Sequence, residues 1–546
     1  MQYESKLKYL TKRIWRMISP NVEITIPPND IIIEKDVRVV TRDKTKLSVN
    51  IYRPNNKKNN PVIICFHPYN KDLLPTKGLF GFNPTIGYRV MRQPGNIKMS
   101  ALTSWESPDP AYWVSNGYVL INADARGFGK SEGEGTVFSD LEAQDYYDLI
   151  EWAAGRPWSN GKIGLSGVSY LAISQYKVAA LHPPHLSAIC PWEGFSDFYR
   201  DLSRPGGIRE DGMVVMWSKL SKTTIREESY DKQLRDAWYN SLTADLEKIN
   251  VPALICASFS DQCLHSGGSF RVFNKISSKH KWLYTHRDGK WVSYYSPEAL
   301  SFQLKFFDYF LKGTNNNLLE VPPVRLEIRE SRDHISKISH HSSWPLTEIK
   351  WQKLYLDNSN NTLNFDLSND NVIKSFDNLS GVLSFNWIIP QDLTIAGPMK
   401  LQIYIELEEC KDANIFVGID KIKDNVTIPF EGSYGFGLDN VTKGWQKASL
   451  RVIDKDASLP WEAYHTFDKI ELLEPKQIVC LEVNLLPSGT LFQKGEILRL
   501  NIQGHWLFKK SKLYSQIGDY EPSPSGKTKI HSGGKYNSHL LIPVLE

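Results

Sequence analysis

The chain has 546 residues, of which 41% are hydrophobic, with 35 glycines besides. That is an ordinary globular composition, and at roughly 150 residues per domain it suits about three to four domains and excludes wholesale disorder. A formal charge of +4 from 65 basic and 61 acidic residues lacks the concentrated basic balance of a nucleic-acid binder. No run approaches the ~18 uncharged apolar residues that cross a bilayer. The six cysteines have no C-x-x-C spacing, so neither a disulfide framework nor a zinc site is expected, and the default setting is reduced and cytoplasmic.

Residues 1–30 read as an N-terminal helical arm. Tyr3, Leu7, Leu10, Ile14 and Met17 recur every three or four positions, the period of an amphipathic helix. Its apolar face is expected to pack on its own protein. Lys6, Lys12, Arg13 and Arg16 keep a membrane-surface helix as the alternative.

From 31 to 195 the pattern alternates strand and helix. Val62–Phe66 and Tyr118–Ile121 are continuous apolar runs, as in parallel strands buried on both faces. Asp140–Trp152 reads as a helix, Lys162–Leu165 as a strand, and a helix runs from Tyr170 to Ala180. This is the first part of an α/β sheet. Residues 196–250 are charged, rich in Trp and Tyr and spaced like helices, so they read as an inserted helical cap. The sheet resumes over 251–315 with Val251–Ser258 and Trp282–Thr285. Ser296-Pro297-Glu298 then opens a helix that Gly313 closes. After Thr314–Asn317, residues 316–546 alternate short strands with turn clusters, the pattern of a β-sandwich or jelly roll.

The chemistry concentrates in Gly164–Ala172. A strand that turns sharply into a helix pushes a serine hydroxyl out above a sheet, and the usual signature is G-x-S-x-G. Neither Ser166 nor Ser169 matches it strictly. Ser169 is favoured because Tyr170 opens the following helix, which aims its backbone N–H at a developing oxyanion. Such a serine needs a base and a group to orient that base. Val251–Ser258 runs into Asp261, and Trp282–Thr285 runs into His286, which gives the order serine, acid, histidine. His265 and His280 compete with His286, although His280 precedes its strand, and Asp261 serves equally well as a helix N-cap. Tyr69, in the turn after Val62–Phe66, offers a hydroxyl to the oxyanion, with a plain turn at Pro68 as the alternative.

Taken in order, Tyr69 in HPYNK, Trp105–Trp113, Asp124–Gly133, Gly167–Ala172, Trp192–Gly194, Tyr199-Arg200-Asp201, Asp261, His286 and the final HSGGKYNSHLLIP resemble the CocE/NonD hydrolases. That family includes cocaine esterase and is related to X-prolyl dipeptidyl aminopeptidases and α-amino acid ester hydrolases. The resemblance covers nearly all of the chain beyond residue 30. It implies an α/β-hydrolase core, a helical cap and a C-terminal jelly roll. It also implies Ser169 as nucleophile, His286 as base, Asp261 as its orienting carboxylate, and an oxyanion hole from the Tyr69 hydroxyl and the Tyr170 N–H. No metal and no organic cofactor are implied, and family members are often dimeric or larger. Ala172 departs from the glycine common at its position.

Members acting on α-amino esters carry two carboxylates just after the catalytic Asp, where this chain has Cys263 and Leu264. A small-molecule ester, neutral or apolar, is therefore the expected substrate, with Trp192 and Phe259 lining an apolar pocket. Glu193 is the one carboxylate placed to hold an amine, or else it forms a structural buried pair with Arg200 or another base. The rival readings are an amidase or X-prolyl dipeptidyl peptidase on the same residues, an acyltransferase, and a non-catalytic binding protein.

Overall fold

The computed structural model describes residues 6–79, 81–91, 93, 95–432, 438–508 and 518–545. Among these, ten strands form one sheet: β1 (Ile31–Val40), β2 (Lys46–Pro54), β3 (Asn60–His67), β4 (Val119–Asp124), β5 (Ser159–Val168), β6 (Leu186–Trp192), β7 (Ala253–Ser258), β8 (Lys281–His286), β9 (Val324–Ser331) and β10 (His334–His341). Their order is β1-β2-β4-β3-β5-β6-β7-β8-β9-β10. Pairing is parallel from β4 to β9 and antiparallel at both ends. The continuous apolar runs follow from this arrangement, since both faces of the sheet are covered. Along β3, Val62, Ile64 and Phe66 enter one hydrophobic layer while Ile63 and Cys65 enter the other.

The expected helices cover those faces. They are α2 (Asp140–Ala154), α3 (Tyr170–Ala179) and α6 (Pro297–Lys312); α5 (Ser266–Lys275), which the sequence pattern did not mark, joins them, with α1 (Lys6–Ile18) on the N-terminal arm and α4 (Met213–Ser221) between β6 and β7. The Ser139 hydroxyl caps α2 by accepting the Glu142 N–H, and Gly313 closes α6 at φ +70°. The segment between β6 and β7 holds helices and helical turns, apart from an isolated bridge between Glu210 and Tyr520. The break at 314–317 ends α6 without ending the sheet, because β9 and β10 follow it. The strongly amphipathic α1 buries Tyr9 and Arg13, and Ile14, Trp15, Met17 and Ile18 stay exposed. Of the face expected to pack, Ile14 and Met17 are exposed and Leu10 is partly buried, while Tyr3 and the Leu7 side chain lie outside the described residues.

Beyond β10 the chain is β-rich. The long strand Leu393–Glu408 pairs with Ile478–Phe492 on one side and with Lys527–Ser532 and His539–Leu545 on the other. Leu401, Ile403, Ile405, Val417, Leu481 and Leu500 belong to a separate core. Arg287, next to His286, ties this region to the sheet. Its guanidinium donates to the carbonyls of Val441 (2.9 Å) and Asn440 (2.5 Å) and lies over the Phe430 ring. No helix among the described residues is long and apolar enough to cross a membrane.

Candidate active site

Ser169 stands between β5 and α3 with φ +61° and ψ −117°, a backbone region that costs a non-glycine residue about 1–3 kcal/mol and recurs at functional sites. Its amide donates to Trp192 O, and the Val168 amide donates to Glu106 O. Gly167, at φ +150°, has room for nothing larger, since a Cβ there would meet the Leu171 Cβ at 2.4 Å. The departure at Ala172 is accommodated across the turn. A Cβ at Gly194 would lie 2.9 Å from the Ala172 Cβ, so glycine at 194 leaves the space that alanine at 172 fills. Tyr170 is the first residue of α3, where a backbone N–H has no intrahelical acceptor.

The expected relay through His286 and Asp261 is not the one assembled. His265 Nε2 lies 3.0 Å from Ser169 Oγ, whereas His286 Nε2 lies 2.9 Å from Glu193 Oε1 and Asp261 is ion-paired with Lys290 at 2.8 Å. The reason lies in register and burial. Trp192 pairs with Cys256, and Ser258 pairs with His286, so the residue after β6 reaches across to the end of β8. Glu193 accepts there from the Ser258 hydroxyl at 2.6 Å and from His286. Burial opposes its charge, but the His286 ring, Lys290 and Ser258 hold its carboxyl below the ordinary range. Lys290 is itself buried and must be paired. Burial works against its charge too, and the carboxylates of Asp261, Glu106 and Glu193 hold it above its ordinary value.

The tautomers follow from the second nitrogens. The Phe195 N–H donates to His265 Nδ1 at 3.0 Å, so the neutral ring carries its proton on Nε2 and donates to Ser169 Oγ. Burial, with Lys290 nearby, pushes the His265 pKa well below the usual histidine range and keeps that ring neutral. The Asp288 N–H likewise donates to His286 Nδ1 at 3.2 Å, leaving the His286 Nε2–H to Glu193. Cys256 shares this cluster, and its sulfur, Glu193 and His286 bring three ligand-type atoms within 4.8 Å of one another. Hydrogen bonds already engage both Glu193 oxygens, so the group holds together on protein contacts alone.

Tyr69 interacts with the Ser169 hydroxyl, and its own oxygen accepts from Trp217 Nε1 on α4 at 3.0 Å. Burial, reinforced by the charge of Glu106, lifts this phenol well above its ordinary pKa, so it remains a donor. Glu106 is buried. Its Oε1 accepts from Trp291 Nε1 at 3.2 Å, and burial pushes its carboxyl up to about 8 against the pull of Lys290.

The expected pocket residues are placed differently. Phe259 is fully buried against Phe270 and Trp344, in the layer opposite the one that holds Tyr170 and Trp192. It does not line the site. Trp192 is fully buried and stacks on the His286 ring at 6.3 Å, so it supports the site from beneath. Glu193 pairs with His286, while Arg200 faces Asp197 at 3.4 Å. The apolar surroundings of Ser169 come from the Tyr170 ring and from Phe138, Phe195 and Trp217, the last three not marked as site residues by the sequence pattern. Phe138 and Tyr170 stack on Trp217, and Phe195 stacks on His265. Periodicity cannot find such residues, because they come from segments far apart in the chain, Trp217 from α4 and Tyr170 from the start of α3.

Two stretches match family models. Residues 43–243 match the X-Pro dipeptidyl-peptidase (S15 family) model, and residues 316–541 match the X-Pro dipeptidyl-peptidase C-terminal non-catalytic domain. The crystal structure of a CocE/NonD family hydrolase from Staphylococcus aureus is 34% identical, covers 94% of each chain and superposes with a TM-score of 0.89. Cocaine esterase from Rhodococcus is 22% identical over 94% of this chain and 99% of its own length. The Xaa-Pro dipeptidyl-peptidase of Streptococcus gordonii is also 22% identical, over 91% of this chain and 75% of its own.

Proposed function

Because the chain belongs to the CocE/NonD family of hydrolases, we propose that it cleaves carboxylic esters through an acyl-enzyme formed on Ser169. The observation that carries this is the strained Ser169 turn with an imidazole nitrogen 3.0 Å from its hydroxyl. The Tyr69 hydroxyl and the Tyr170 N–H receive the oxyanion, each donor being worth about 3 kcal/mol in a transition state of this type.

His265 is the imidazole within reach, and geometry ranks first in choosing a base. To accept the serine proton on Nε2, its own proton must stand on Nδ1. The Phe195 amide therefore turns away from Nδ1 in the reacting complex. Ser169 attacks the carbonyl, and the His265 imidazolium returns the proton to the departing alkoxide. Water activated by the same ring then releases the acid. A second reading keeps His286 as base, on the observation that His286 has a carboxylate partner in Glu193.

Neutral, apolar esters fit best. Aromatic rings surround Ser169, and the nearby carboxylates are occupied: Glu193 by His286, Asp261 by Lys290, and Glu106 by a proton. This disfavours recognition of a substrate ammonium. The β-rich C-terminal region is read as a jelly roll, on the support of the long central strand and its three antiparallel neighbours. Fluorophosphonate labelling of the intact chain and of Ser169→Ala, followed by aryl-ester and Xaa-Pro anilide assays, tests the proposal. Labelling confined to Ser169 with faster ester turnover supports it. Unlabelled folded protein, or anilides turned over as fast as esters, overturns it.

A further inference from the structure

The N-terminal helix is the sequence feature that the catalytic reading leaves unused. Its inner seam consists of Tyr9, 3% exposed beneath the Arg332 guanidinium (3.9 Å from the ring centre), and Arg13, 2% exposed. The apolar stripe lies on another side of the helix and stays uncovered, with Ile14 40%, Trp15 63%, Met17 43% and Ile18 68% exposed. The neighbouring helix Ile86–Met91 extends this patch with Ile86 at 66% and Val90 at 49%, and Arg89 donates to the Ile18 carbonyl. Lys8 and Lys12 stand exposed on the flank, with Arg16 partly exposed, and Lys6–Ile18 contains no acidic residue. An apolar stripe bordered by Lys and Arg, with an exposed Trp, is the make-up of a helix that lies in the plane of a lipid interface.

From this placement we infer that α1 and the Ile86–Met91 helix dock the enzyme on an anionic lipid surface. Trp15, Ile18, Ile86 and Val90 enter the headgroup boundary, and Lys8 and Lys12 face lipid phosphates. A second copy of the chain fits the patch less well. A two-fold contact places the same surface against itself, which sets these cations against their counterparts, and like charges so placed are unfavourable. Anionic headgroups complement them instead.

Flotation of the full chain with phosphatidylcholine vesicles, with and without about one quarter phosphatidylglycerol, tests this directly. The expected result is binding to the anionic vesicles, weakened about tenfold or more by Trp15→Glu/Ile18→Glu and strongly reduced by ~0.5 M salt, as surface charge attraction requires. Ester turnover of a soluble substrate by the variant should match the parent, which shows that the variant is folded. Ile18→Ser serves as the milder second variant and should fall between the two. No flotation with anionic vesicles, or flotation that ignores the substitutions, overturns the inference. So does a dimer that the same substitutions dissolve while vesicle binding is absent.

Discussion

The turn that carries Ser169 and the loops that carry His265 and His286 are held by different kinds of interaction. The serine turn is fixed locally: a small residue before it, a helix after it, and a backbone that only this sharp geometry allows. The histidine loops are fixed by pairing between distant segments. Glu193 follows β6, His286 ends β8 and Lys290 opens a short helix, and which carboxylate meets which base is decided by how several buried charges satisfy one another. Local strain makes a nucleophile recognisable from a few residues. Buried electrostatics can reassign its partners without changing the motif that announces it.

Substitutions can break that contrast in order of size. Ser169→Ala removes the element fixed locally and should lower kcat for ester hydrolysis by about 10⁴-fold or more, with KM little changed, as steady-state kinetics on an aryl ester would show. Tyr69→Phe removes the proposed oxyanion donor, with an expected loss of about 10²–10³-fold in kcat. If the phenol only braces Trp217, the same assay will show a far smaller change.

The network of charges answers in stability. Lys290→Met leaves Asp261 without its buried ion-pair partner and should cost about 3–5 kcal/mol, because one charge of a buried pair remains uncompensated. Adding Asp261→Asn should recover most of the loss, measurable by urea denaturation of the two variants side by side.

The pH dependence of stability concerns Glu106. Its folded pKa of about 8 lies above the ordinary value of 4.5, so the fold retains a proton that the unfolded chain gives up. The stability this contributes is complete below pH ~4.5 and is lost as pH rises towards 8, with a limiting slope of ~1.4 kcal/mol per pH unit. Glu106→Gln should therefore gain on the parent as pH is raised through that window. Equal pH dependence of the two unfolding midpoints would show that the carboxyl ionises normally.

The same contrast explains what could be read in advance. Five of the parallel strands, α2, α3 and α6, and the sharp turn at Ser169 were legible, because each depends on runs or turns within a dozen residues. His265 stood in the sequence only as a competitor four residues beyond Asp261. Nothing local says that its ring turns towards Ser169 while Asp261 turns to Lys290. Phe259 illustrates the same limit. Adjacent residues at a strand end face opposite sides of a sheet, and Phe259 falls on the side away from the site. The helix α1 was read correctly as amphipathic, but period alone does not say which face packs, and Tyr9 and Arg13 won the inner position.

Whether His265 or His286 takes the Ser169 proton separates the two arrangements of the site. The most direct measurement is the rate of fluorophosphonate labelling at Ser169 in His265→Ala and His286→Ala, each checked for folding by circular dichroism. A general base typically contributes ~10²–10⁴-fold. A loss of that size is expected for His265→Ala, and less than about tenfold for His286→Ala. The reverse pattern would contradict that expectation and return the role of base to His286 with Glu193 as its carboxylate.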